Sequence, residues 1–317
     1  DGLPDIAVAE FLRNNLYGMP GAVFLLYNKG NNTYDCQEIK NLAGIGMMTG
    51  IECFDSNGDG YRDIIVAGKW MPVLIIANDM GSFVSSVPQA IEATAGLWNT
   101  MGSCDVDNDG DMDLICGNEG QNSFLKEGMK MFVNDFDANG STEAIICLQE
   151  GKKYYPIHDP DEMYSQLPVL KKKFISYKQF AAADIEQLFS AEILKSSKVY
   201  RLEETASVIL VNQGGKFDKL RLPDELQYSS VYAVRVKSNE GGGMTLYAGG
   251  NDYKIKPQLG RQDASCGWKV KMAVKDKKLV ISHIEPLHIE GPVRYLDFLN
   301  GRLVAGINQG RVTVCDQ

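Results

Sequence analysis

The chain has 317 residues, 44% of them hydrophobic and 23% charged, with a formal net charge of −9. That length is ample for a packed core, and no apolar run is long enough to cross a bilayer as a helix. The acidity leaves no broad basic footprint for nucleic acid, so neither a membrane span nor nucleic-acid binding is expected.

In chain order, Asp1-Gly2-Leu3-Pro4-Asp5 is the stump of an acidic loop leading into a short strand, Asp5–Glu10. Starting partway through a loop suggests that upstream residues, a signal segment among them, have been removed. A strand at Gly50–Phe54 precedes the first full loop, Asp55-Ser-Asn57-Gly-Asp59-Gly60-Tyr61-Arg-Asp63. The apolar run Ile64–Gly68 follows, then candidate strands Val73–Ala77 and Phe83–Val87. The second loop is Asp105-Val-Asp107-Asn-Asp109-Gly110-Asp111-Met-Asp113, with Leu114–Gly117 after it. Strand Met129–Val133 precedes the third, Asp135-Phe-Asp137-Ala-Asn139-Gly140-Ser141-Thr-Glu143, and Ala144–Leu148 follows.

Oxygen ligands at alternate positions, a glycine at the sixth and a backbone carbonyl at the seventh form the front half of a calcium loop. Each full loop is therefore expected to hold a hard cation, two to three structural calcium ions in all. The third, with three carboxylates against five in the second, is expected to be the weakest. An EF-hand would need Glu at the twelfth position, where Val66, Cys116 and Ile146 stand, so that reading fails three times. A polar turn without metal explains any one copy alone. Three copies before the same strand type favour calcium, and 13 of the 41 acidic residues lie in these loops and the stump.

Between residues 157 and 198 the strand rhythm gives way to helical periodicity. Met163, Leu167, Leu170 and Phe174 share a face, Pro168 opens a second short helix, and Ser176/Gln179 and Asp184/Gln187 resemble capping boxes. A helical insertion carried by the fourth unit is expected, with Lys171–Lys173 left in solvent.

The strand after the loops recurs at Met244–Gly249 and Gly301–Gly306, the latter preceded by a strand at Val293–Asp297. Six copies of one strand, in units of three to four short antiparallel strands, predict an all-β fold. Residues 1–317 are read as a single β-propeller of about six blade units, with five to seven possible. A sandwich or jelly roll would not require the repetition.

These loops and strands resemble the FG-GAP or VCBS repeat family, whose blades carry such a loop between their first and second strands. A narrower likeness, to bacterial surface propellers associated with ASPIC/UnbV domains, rests on Gly117–Ser123, Leu167–Phe174, Phe189 and Gly260–Gly267. The resemblance implies a secreted or cell-surface protein and structural calcium.

Seven cysteines lack CxxC spacing, most within apolar runs, which points to buried thiols rather than a disulfide framework. His158, His283 and His288 form no triad or metal spacing, and no phosphate loop or nucleophile elbow is present. The preferred function is a non-catalytic module for a glycan or protein ligand. A glycan-active enzyme and a structural scaffold are the alternatives. The candidate ligand surface is Asn251–Trp268, with Tyr253, Lys254, Arg261, Asp263 and Trp268 as binding residues. Against this, Arg261 and Asp263 could simply pair while Trp268 packs.

Overall fold

Runs of Ile, Val, Leu and Met bounded by Gly, Asn and Asp form strands throughout the chain. The computed structural model describes residues 2–13, 16–40, 45–83, 87–239, 243–256, 259–275 and 278–315. Asp1 of the loop stump, residues 84–86 of the expected strand Phe83–Val87 and residues 257–258 of the candidate ligand segment lie outside them.

Sheet I contains β1 (Ile6–Ala9), β2 (Val23–Asn28) and β3 (Tyr34–Glu38) in that order. Sheet II contains β4 (Met47–Phe54), β5 (Asp63–Met71), β6 (Leu74–Ile76) and β7 (Gln89–Ala90), and β8 (Gly96–Leu97) also pairs with β5. Sheet III begins with β9 (Thr100–Cys104) and β10 (Asp113–Gly117). The chain then departs to build sheet IV from β11 (Lys130–Asn134), β12 (Glu143–Glu150), β13 (Lys153–Pro156) and, after the helices, β14 (Lys198–Arg201). It returns with β15 (Val208–Asn212) and β16 (Phe217–Arg221), which complete sheet III in the order β16-β15-β10-β9. Sheet V is β17 (Val231–Ser238), β18 (Met244–Gly250), β19 (Trp268–Lys275) and β20 (Lys278–Pro286). Sheet VI is β21 (Val293–Leu299), β22 (Arg302–Ile307) and β23 (Val312–Cys315). Every strand ladder is antiparallel.

Sheets I, II, III, V and VI succeed one another through their first strands: β1 packs on β4, β4 on β9, β9 on β17 and β17 on β21. This is the all-β, propeller-like arrangement expected from the repeats. Sheet IV stands outside the succession. Its residues are inserted between the second and third strands of sheet III, because β10 pairs with β15 across the insertion, Leu114 opposite Leu210. Val208, Ile209 and Leu210 are fully buried there, completing an interior strand that a one-pass reading of repeats does not find. Sheet IV packs on sheet II through β14 and β5, with Met47, Trp70, Met129 and Met131 in one core.

Crowding of the repeated strand has a backbone cause. Gly68 and Gly250 lie so close to the carbonyls of Met47 and Ser230 that a Cβ would collide with them. The register of sheets II, V and VI shifts at the corresponding place, between Met48 and Gly50, Val231 and Ala233, and Val293 and Tyr295.

The helices α1 (Pro160–Gln166), α2 (Pro168–Lys173), α3 (Tyr177–Ala181), α4 (Ile185–Leu188) and α5 (Ala191–Ser196) connect β13 to β14. Asp184 and Gln187 form a reciprocal capping box, whereas Gln179 turns its side chain to the N–H of Ile175, so Ser176 caps alone. Met163, Leu167, Leu170, Ile185, Leu188 and Phe189 are buried against Phe132, Phe136 and Ile145 of sheet IV and its loop. Lys171–Lys173 are exposed, although the Lys173 amine also donates to the Leu188 carbonyl.

Candidate metal loops and binding cavity

The three full loops join β4 to β5, β9 to β10 and β11 to β12, and they close in the same way. The first-position carboxylate gathers N–H groups from the far side of the turn. Asp55 accepts from Gly58 and Gly60 at 2.8 and 2.7 Å, Asp105 from Asp109 and Gly110 at 3.2 and 3.1 Å, and Asp135 from Asn139 and Gly140 at 3.0 and 2.8 Å. The fifth residue then accepts from the N–H of the seventh: Asp59 from Tyr61, Asp109 from Asp111, and Asn139 from Ser141. Gly60, Gly110 and Gly140 have φ of +89°, +99° and +87°, which only glycine adopts freely.

The ninth residues face inward. Asp63 accepts from the N–H and hydroxyl of Ser56 and, through its other oxygen, from the N–H of Asn78. Asp113 accepts from Val106 N–H at 2.6 Å and from Asn212 N–H at 2.7 Å. These two acids are loop clasps, each with both oxygens engaged. Three acidic groups converge to within 4.8 Å of one another in loop two (Asp105, Asp107, Asp109) and loop three (Asp135, Asp137, Glu143). No such group forms in loop one among the described residues, since its third position is Asn57. The geometry thus ranks loop three above loop one, although each carries three carboxylates, against the expectation that loop three is the weakest.

Two observations bear on a cation. The Oδ1 atoms of Asp107 and Asp137 are buried without a hydrogen-bond partner. Burial first, then repulsion from Asp109, pushes Asp107 above the usual carboxylate range. Burial likewise raises Asp113 to about 6 against the pull of its two N–H donors, and it raises Glu143, with Asp137 and Asp135 adding to the effect. At Asp55 burial is outweighed by N–H groups of Gly60, Gly58, Asn57 and Asp59, and the pKa falls. Clustered acids that resist ionisation, with carboxylate oxygens lacking donors, fit an oxygen-ligated divalent cation, whose charge would reverse the repulsion.

A second polar concentration lies where the repeated strands end. Lys69 on β5 pairs with Glu119 at 2.5 Å and donates to Asn99, and Glu119 accepts from the Ser230 hydroxyl at 2.6 Å. Lys69 and Arg294 both lie over the Tyr232 ring, 5.8 and 3.8 Å from its centre. Its hydroxyl donates to Asp252 at 3.2 Å, and burial, then Glu119 and Asp252, drive its pKa up. Trp70 and Asn251, which adjoin the cluster, have φ of 59° and 84°, left-handed backbone that is costly for side-chain-bearing residues.

Beside this cluster a cavity of about 340 Å³ opens between sheets V and VI, lined by Asp252, Tyr253, Lys254, Arg294, Asn308 and Gln309 among others. Of the expected ligand residues, Tyr253 and Lys254 line it. Arg261 instead stacks on Tyr253, 3.7 Å from the ring centre, and pairs with Asp263 at 3.0 Å. Trp268 begins β19 and packs on the core around Leu246 and Val270. Lys256 reaches Glu162 of α1 at 2.7 Å, tying this segment to the helical insertion.

The FG-GAP-like repeat family model matches residues 55–116, from the first loop almost to the end of β10. That span carries an FG-GAP-like repeat. No curated protein matches the chain. The matched span holds loops one and two, while loop three and the cavity lie beyond it. Among the described residues Cys116, Cys147 and Cys315 are buried as expected, whereas Cys36 and Cys53 are exposed. No described helix is long and apolar enough to cross a membrane.

Arg294, Asp252, Lys69, Glu119 and Tyr232 escape a motif search because they are far apart in sequence. Aligning the repeated strands would have given a signal. Lys69, Glu119 and Asp252 each stand one or two residues beyond the strand-ending Gly68, Gly117 and Gly250.

Proposed function

We propose that this chain is a non-catalytic, extracellular binding module of the FG-GAP repeat kind whose acidic loops are stiffened by calcium. The observation that carries the metal assignment is the pair of buried, donorless carboxylate oxygens on Asp107 and Asp137, each within a three-acid group. An unpaired buried carboxylate oxygen is costly, and a hard cation removes that cost. Loops two and three would hold one ion each, with loop one a weaker third site. Oxygen-only ligands from carboxylates, an amide and backbone carbonyls suit calcium better than magnesium, which demands a tighter octahedron. Calcium would act structurally, fixing the turns between first and second strands.

FG-GAP repeats commonly serve as extracellular ligand-binding modules, and the cavity at the strand ends supports that role here, with a glycan or protein as ligand. The cluster of Lys69, Tyr232 and Arg294 gives some support to a glycan-active enzyme. Yet the Lys69 charge is balanced by Glu119 and Tyr232 is driven toward its neutral form, so the cluster offers no ready base.

Thermal unfolding in chelator, magnesium and calcium tests the metal reading. Calcium alone is expected to raise the transition temperature, with two ions bound per chain by titration calorimetry. Identical transitions in chelator and calcium would overturn it.

A further inference from the structure

Arg294 is a charge held at the wall of this cavity. Its guanidinium is half-buried at the cavity wall and forms no ion pair among the described residues. The structure holds it firmly all the same. Nη1 donates to the Asn251 carbonyl at 2.8 Å and to the Val293 carbonyl at 3.0 Å, and the plane lies on the Tyr232 ring. Asn251 presents that carbonyl from a left-handed backbone, pinned by side-chain bonds to Ser265 and Gly291. Two of five guanidinium donors are thereby used for positioning, and those on Nε and Nη2 have no partner among the described residues. A planar fork fixed in this way at a cavity matches a carboxylate.

The rest of the cavity wall describes what bears that carboxylate. Lys254, also without an ion pair among the described residues, adds a second positive charge. Tyr253 and Pro292 give apolar faces, and the exposed side chains of Asn308 and Gln309 give amide donors and acceptors. Apolar patches beside amides suit a polyhydroxylated ring, and about 340 Å³ admits one or two sugar units. Asp252 does not oppose an anion strongly, because Tyr232 hydroxyl and Lys254 N–H already donate to its two oxygens.

We infer that the cavity between sheets V and VI binds a uronic-acid-bearing glycan, with Arg294 and Lys254 on the carboxylate and Asn308 and Gln309 on the hydroxyls. This rests on the binding-module reading and names its ligand class.

The test is titration calorimetry of the full chain in calcium against a glucuronate-bearing tetrasaccharide and the same sugar with its carboxyl groups reduced to alcohols. The native sugar should bind, and the reduced one at least about tenfold more weakly. Arg294→Gln should weaken binding about tenfold or more and the exposed Lys254→Ala about threefold. Should Arg294→Gln fail to fold, Lys254→Ala and the reduced sugar still decide. Equal affinity for both sugars, unchanged affinity in both variants, or no sugar binding would overturn the inference. So would capture of an acidic peptide in place of the sugar. The calcium-induced rise in transition temperature, measured on the same sample, separates the two failures: if it persists without sugar binding, only the ligand assignment falls.

Discussion

Asp107→Asn is expected to change sign with calcium, helping the metal-free protein and harming the loaded one. In the metal-free loop the Asp107 carboxylate sits within 4.8 Å of two others and has an oxygen without a donor. Two unit charges about 4 Å apart interact by about 4 kcal/mol at an effective dielectric of 20. Asp109 is exposed, so solvent screening reduces the relief on neutralising Asp107 to about 1 kcal/mol. Calcium at about 100 times its dissociation constant stabilises the wild type by about 2.7 kcal/mol, most of which the variant loses with its ligand. For a chain of this size about 1 kcal/mol moves the transition by roughly 2 °C. The variant should therefore melt about 2 °C above wild type in chelator and about 3 °C below it in calcium, read by scanning calorimetry. Equal destabilisation in both buffers would mean that Asp107 is a structural residue, and the repulsion argument would fall.

Asp113→Ala strands two buried N–H groups, those of Val106 and Asn212, and should cost about 3 kcal/mol in urea unfolding even in chelator. A cost below about 1 kcal/mol would contradict its role as a clasp. Lys69→Met leaves Glu119 charged and enclosed and should cost about 3 kcal/mol, whereas Lys69→Met with Glu119→Gln should recover most of it. Simple additivity in that double-mutant cycle would count against coupling of the pair. Calcium affinity should also weaken between pH 7 and pH 5. Burial, with repulsion from Asp107 and Asp109, lifts Asp113 from 3.8 to about 6. Its ionised form is thus disfavoured by folding, and the metal-free protein loses stability as pH rises through that interval. A cation favours the ionised cluster and must displace its protons at the lower pH. Equal calcium affinities at pH 7 and pH 5 would refute the linkage.

The acidic turns were legible because acidic residues two positions apart, with glycine at the sixth, are a local property of nine residues. The helices were legible for a similar reason: Pro168 and the Asp184/Gln187 box mark their ends directly. What each loop acid does was harder to see. Asp113 and Asp63 fit the ligand pattern, but their oxygens are taken by N–H groups of Asn212 and Asn78, residues that only the folded sheet brings near. Arg261 stood out as a charge beside aromatics, yet it spends that charge on Asp263 and supports Tyr253. Arg294 gave no local signal, since its importance comes from Tyr232 and Asn251, about 60 and 40 positions earlier. Local pattern therefore identified the turns, and long-range pairing decided the cavity.

Sheet III shows why the insertion is tolerated. Its two halves are rejoined along the β10–β15 ladder and just beyond it, where Asn118 donates to the carbonyls of Glu204 and Ala206 and its own N–H meets the Ser207 hydroxyl. The excursion thus leaves and re-enters the sheet at neighbouring positions, and closing a long loop costs little more than closing a short one because the entropy grows with the logarithm of length. Within it, Phe136 of loop three stacks against Phe189, which follows α4, at 4.4 Å. Loop two, in contrast, is clasped to β15 through Asp113 and Asn212 in the succession of sheets. An ion in loop three would therefore stabilise sheet IV and its helices, while an ion in loop two would stabilise the rejoined sheet III. Calcium at these two loops would thus act on different parts of the fold, with sheet IV held to sheet II by the core shared by Met47, Trp70 and Met131.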